Sequence, residues 1–127
     1  MQTDKQIDFT TAADRARHIR ELYKQLEKRL HGSAWTPQEV MLGYLSDVGE
    51  LGRLVMAKEG RWLHEGDLPK ELNDKLADCL WWGLVLADQL GVDISQAFTA
   101  KMNALDVQIS KSVARTKKRT TQPEPFS

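Results

Sequence analysis

Only one cysteine, Cys79, occurs in the chain of 127 residues, so no internal disulfide can form. That usage suits a reducing compartment, and the apolar neighbours of Cys79 suit a small core residue better than a reactive thiol. Long apolar runs are also lacking. The longest uncharged one, residues 79–87, falls far short of the ~20 residues that span a bilayer. No charged segment leads into an apolar one at the amino terminus, so a soluble cytoplasmic protein without membrane contact is expected.

Other absences narrow the chemistry. There is no glycine-rich phosphate loop, no dinucleotide fingerprint, no nucleophile elbow and no Cys/His zinc spacing. His18, His31 and His64 stand at unrelated spacings, which argues against a histidine-based site. No stretch alternates apolar and polar residues as a half-buried strand does. Net charge of either sign is missing overall, yet residues 36–106 carry twelve acids against six bases, while residues 107–127 carry five bases and one acid. An acidic middle suits the holding of a cation and differs from the even basicity of a nucleic-acid binder, so nucleic acid is not the expected partner.

What the chain does have is helical periodicity. From Thr11 to Leu30, Ala12, Ala16, Ile19, Leu22, Tyr23, Leu26 and Leu30 recur at spacings of three and four and predict an amphipathic helix with Arg15, Arg20, Lys24, Glu27 and Lys28 on a solvated face. Gly32 ends it. Thr36, Pro37 and Glu39 form a capping box with a first-turn proline and start a second helix running to about Lys58. Trp35, just before that cap, either staples onto the first turn or stacks on a base. Pro69 opens a third helix that is apolar on every side between Cys79 and Ala87, which points to a bundle centre or a subunit contact. Gly91 closes it, and Asp93 with Gln96 starts a fourth helix. The expected organisation is a loose leader over residues 1–10, an all-α domain of four main helices over 11–110, and a basic, proline-containing flexible tail over 111–127.

Within this frame the acids carry the chemistry. Asp47 and Glu50 lie at i, i+3 on the second helix, and Glu71, Asp74 and Asp78 share a face of the third, within about 60° of one another. Facing helices that each present such pairs build a site for a hard cation, which takes carboxylate, water and phosphate oxygens. Apolar neighbours on both sides of Asp47, Glu50 and Asp78 predict partial burial, and a buried carboxylate needs a partner. Gly49 and Gly52 each lower helix propensity by about 1 kcal/mol relative to alanine, so two within four residues suggest close approach by another helix or by a ligand.

Residues 45–51 (Leu-Ser-Asp-Val-Gly-Glu-Leu), 75–82 (Lys-Leu-Ala-Asp-Cys-Leu-Trp-Trp), 86–93 (Leu-Ala-Asp-Gln-Leu-Gly-Val-Asp) and 101–103 (Lys-Met-Asn), taken in order, resemble the MazG-type all-α nucleoside triphosphate pyrophosphohydrolases. The resemblance covers about residues 35 to 105. It implies a helical bundle that forms homodimers or dimers of dimers. It also implies Mg²⁺, for which Mn²⁺ substitutes, and cleavage of a nucleoside triphosphate to the monophosphate and pyrophosphate, in house-cleaning of the nucleotide pool. Carried across, Asp47, Glu50 and Asp78 are the expected catalytic and metal-binding residues. Lys75 stands where the family has a glutamate. Asp74 or Glu71 then becomes the substitute ligand, and Lys75, Lys101, Asn103 and Trp35 become substrate contacts. The other reading that Lys75 motivates is a catalytically degenerate relative serving as a nucleotide-binding or partner-binding scaffold.

Overall fold

The computed structural model describes residues 6–118. They form four helices and no strand: α1 (Phe9–His31), α2 (Pro37–Lys58), α3 (Leu68–Gln89) and α4 (Ile94–Lys118). The all-α expectation therefore stands at the level of helix count and class. The described residues divide into two compact units, the first ending at Ile94 and the second beginning at Ser95. None of the helices is long and apolar enough to cross a membrane among the described residues.

Local chemistry sets the helix ends. Asp8 caps α1 by accepting from the Thr11 amide at 2.8 Å, so the helix begins earlier than the periodicity predicts. Gly32, at φ 81°, takes the left-handed conformation that glycine adopts without a Cβ penalty and closes α1. At α2 the capping box is reciprocal: the Glu39 amide donates to Thr36 Oγ1 at 3.3 Å, and the Thr36 amide donates to Glu39 Oε1 at 3.0 Å. Asp67 caps α3 through the Lys70 amide, one residue before the helix and two before Pro69. The fourth helix continues past Ser110 to Lys118, so the first eight residues assigned to a flexible tail are helical, and residues 119–127 lie outside the described ones.

In the first unit α3 is the shared element, packing against both α2 and α1. The buried apolar residues are few: Ala16, Val40, Leu54, Val85 and Ala87. Expectation and structure part on α1. Leu22, Leu26 and Leu30, read as the buried stripe, are half-exposed or more, whereas Arg20, read as solvated, is 3% exposed. The cause is Glu27, which engages the Arg20 guanidinium through two hydrogen bonds of 2.6 and 3.0 Å and also accepts from the Trp35 amide at 2.8 Å. A buried charge tolerates its position when it is paired in this way.

The close approach of α2 and α3 is not at Gly49 or Gly52, beside which lies open space. It is at Gly43, where an added Cβ would come within 2.7 Å of the Trp82 ring. In the second unit α4 carries Met102, Leu105, Ile109 and Val113 at spacings of three and four, all of them exposed.

Candidate functional site

Helical spacing brings Asp47 and Glu50 to one side of α2, and Lys75 and Asp78 to one side of α3, and the packing of the two helices joins the pairs. Lys75 Nζ lies 2.8 Å from Glu50 Oε2, 3.2 Å from Asp47 Oδ1 and 3.5 Å from Asp78 Oδ2. The second oxygen of Asp47 accepts from the indole N–H of Trp82 at 2.6 Å. Asp47 and Lys75 are mostly enclosed, with side chains 22% and 18% exposed, whereas Glu50 and Asp78 face solvent. The hydrogen bond to Glu50 is the main reason that the Lys75 ammonium titrates above an ordinary lysine, with Asp47 adding to it against the opposing effect of burial. Beside the cluster, the Cys79 thiol is pushed up by burial and then by the charges of Asp47 and Asp78, which keeps it protonated and unreactive.

Two hollows flank the cluster. On one side an open groove of about 500 Å³ runs past Glu50, Arg53, Trp62, His64, Lys75 and Asp78. There the Arg53 guanidinium lies 5.9 Å from the Trp62 ring centre. On the other side a hollow of about 310 Å³ is walled by Tyr23, Trp35, Trp81 and Trp82. The rings of Trp35 and Trp82 stack at 6.4 Å and 12°, and Trp81 meets Trp82 at 5.0 Å and Tyr23 at 5.6 Å. Two enclosed donors of residues that line this hollow, Arg20 Nε and Trp81 Nε1, have no hydrogen-bond partner among the described residues. A shallower depression touched by Tyr23, Asp47, Asp78, Trp81 and Trp82 lies at the border of the acids and the rings.

Asp47, Glu50, Asp78 and Lys75 are thus gathered at one point, and Trp35 borders the aromatic hollow. Glu71 and Asp74, the expected substitute ligands, are engaged elsewhere: Glu71 meets His64 Nε2 at 2.8 Å and Asp74 accepts from Lys70 Nζ at 2.8 Å. Lys101 and Asn103 are exposed on α4 in the second unit. Trp82, read as core and subunit contact, packs against Gly43 of α2 and is also the donor that holds Asp47. Its position four residues after Asp78 puts both on one face of α3, a signal that the apolar neighbours obscured.

The spacing of the carboxylate oxygens around Lys75 does not match the shell of a resident Mg²⁺. Magnesium binds oxygen at about 2.1 Å in near-ideal octahedra, so the three carboxylates would have to close in by roughly 0.7 to 1.4 Å on a point that the Lys75 ammonium fills. Among the described residues no group of three or more Asp, Glu, His or Cys is arranged to hold a metal. With Lys75 in place the residues do not fit a resident divalent ion.

Fold and site together define an all-α protein with a carboxylate–ammonium cluster on a helix pair and an aromatic hollow beside it. No family model, curated protein or solved structure matches the chain.

Proposed function

We propose that this chain is a nucleoside triphosphate pyrophosphohydrolase of the MazG type, converting NTP or dNTP and water to the monophosphate and pyrophosphate. The observation that carries the reading is Trp82. One indole belongs at once to the aromatic hollow, through its stack on Trp35, and to the acid cluster, through its bond to Asp47. A nucleotide has the matching halves, a flat ring and a charged polyphosphate. Its base stacks among Trp35, Trp81 and Trp82. Its phosphates lie towards Lys75.

Charge decides the form of the substrate. Asp47, Glu50, Glu71, Asp74 and Asp78 outnumber Arg53, Lys70 and Lys75 around the cluster and groove, so a bare triphosphate is repelled. The nucleotide enters as its magnesium or manganese complex, with the ion brought as part of the substrate. Lys75 then exchanges a carboxylate for a phosphate oxygen, a contact that an ammonium makes as a point charge. Glu50, the most exposed of its partners, accepts the proton of the water that attacks the α-phosphorus, and pyrophosphate leaves.

Lys75 also favours a second reading, nucleotide binding without turnover, because the acids it neutralises are then unavailable for chemistry. Pyrophosphate release from ordinary and modified nucleotides, with Mg²⁺ or Mn²⁺ saturating, tests the first reading; none from any of them sinks it. Lys75→Glu separates the two. A fall in turnover of roughly tenfold or more matches loss of one phosphate contact, whereas a gain means that the natural site is impaired.

A homodimer belongs to the same proposal. Leu42, Leu45, Gly49, Gly52 and Met56 recur at three- and four-residue spacing as one exposed stripe of α2, and Leu76 and Leu80 stand exposed on α3. Apolar surface of this extent marks a contact, and a second copy is the partner we assign to it.

A further inference from the structure

The three oxygens around Lys75 come from both helices, Asp47 and Glu50 from α2 and Asp78 from α3, and they converge on one nitrogen. An ammonium offers three donors and no acceptor, which matches three carboxylates in number. Lys75 is not a surface lysine meeting acids by chance: its side chain is 18% exposed, while Lys70 in the ordinary i, i+4 pair with Asp74 is 70% exposed. Asp47 cannot turn away from it without losing the Trp82 bond, because each of its oxygens is used once. The convergence has the plan of a divalent-cation site, widened to ion-pair distances and filled by a side chain.

We propose that Lys75 is the built-in cation of this centre, so that the nucleotide-free protein takes no divalent ion there, and that deleting its amine converts Asp47, Glu50 and Asp78 into a divalent-cation site. A metal arriving at the natural protein meets the ammonium at the point it would occupy and must either expel it from three carboxylates or bind beside it against its charge. Without the amine, three converging carboxylates are left mutually repelling. A hard divalent ion relieves that repulsion, with water completing its shell. The inference does not depend on the nucleotide reading, because it concerns the protein without nucleotide.

Mn²⁺ alone is the probe, titrated into the full chain and followed by the paramagnetic resonance of unbound manganese. Lys75→Met is expected to bind one Mn²⁺ per chain at least about tenfold more tightly than the natural protein. Asp47→Asn in the same chain is expected to abolish the gain. Equal affinity in the natural protein and Lys75→Met overturns the proposal, as does a gain that survives Asp47→Asn. Should Lys75→Met fail to fold, amine acylation of the natural protein read by mass spectrometry carries the test. Lys75 is expected to react more slowly than the exposed Lys58, at a rate that Mn²⁺ leaves unchanged. Labelling as fast as Lys58, or accelerated by Mn²⁺, overturns the proposal.

Discussion

At the residue scale the molecule depends on two charged groups in unequal surroundings. Arg20 is buried and answered by Glu27, whose carboxyl is held below the usual glutamate range chiefly by the Arg20 hydrogen bond, with the Trp35 amide adding to it against burial. Truncating one partner of such a pair leaves the other charge uncompensated, at a cost of about 3 kcal/mol or more. Glu27→Gln is therefore expected to lower the urea unfolding free energy by about that amount. The pH dependence follows in sign. Because the folded-state pKa lies below the unfolded one, the unfolded chain takes up the proton first as pH falls. The stabilisation is complete above the ordinary glutamate range and is lost as pH drops through the lower folded value. The urea midpoint of the natural protein should fall over that acidic interval, and Glu27→Gln should remove this component. Trp82→Phe keeps most of the ring and removes the N–H. It leaves one Asp47 oxygen without its donor, for which about 1 to 3 kcal/mol is expected in the same measurement.

At the element scale the contact between α2 and α3 turns on one glycine. Gly43→Ala gains about 1 kcal/mol of helix propensity, but its methyl meets Trp82 Cη2 at 2.7 Å and Cζ2 at 2.9 Å. Trp82 cannot yield easily, being stacked on Trp35 and bonded to Asp47. Overpacking of this kind costs roughly 1 to 3 kcal/mol, so the net effect is a lowered melting temperature and a disturbed acid cluster. Gly49→Ala makes the contrasting case. Nothing lies within 4 Å of its added methyl in the protomer, and the propensity term alone predicts a gain of up to about 1 kcal/mol. A loss at Gly49 would place a second copy against the α2 stripe.

At the scale of the whole molecule the decisive quantity is the small core. Among the described residues five apolar side chains are buried, and Val40 and Val85 alone of these lie at or below 1% exposure. Leu30, Leu42, Leu45, Leu76 and Leu80 are each more than half exposed, and burial of one such side chain contributes about 1.5 to 3 kcal/mol. Light scattering after size exclusion is expected to return twice the chain mass. Leu45→Glu should shift it towards one, with a fall in melting temperature that depends on protein concentration. A monomer that unfolds at the same temperature across a hundredfold dilution, or thereabouts, would refute the dimer.

The sequence by itself determined the helices, because their ends are written in neighbouring residues. Thr36 with Glu39 closes a local hydrogen-bond box, and Gly32 supplies the left-handed turn at the end of α1, whatever the rest of the chain does. Spacing also put Asp47 beside Glu50 and Asp78 beside Lys75, since helical neighbours are fixed by a 3.6-residue period. Only the tertiary structure decided which groups these acids meet. That depended on the rotation and separation of α2 and α3, set by Trp82 seated over Gly43, and no local pattern encodes either. Arg20 and Glu27 show the same limit: their periodicity marks a solvated face, whereas in the structure Arg20 is buried and paired with Glu27, which the Trp35 amide also reaches. Lys75 is the sharpest case. In the sequence it is a base where an acid is expected, and packing makes it the cation on which three acids converge.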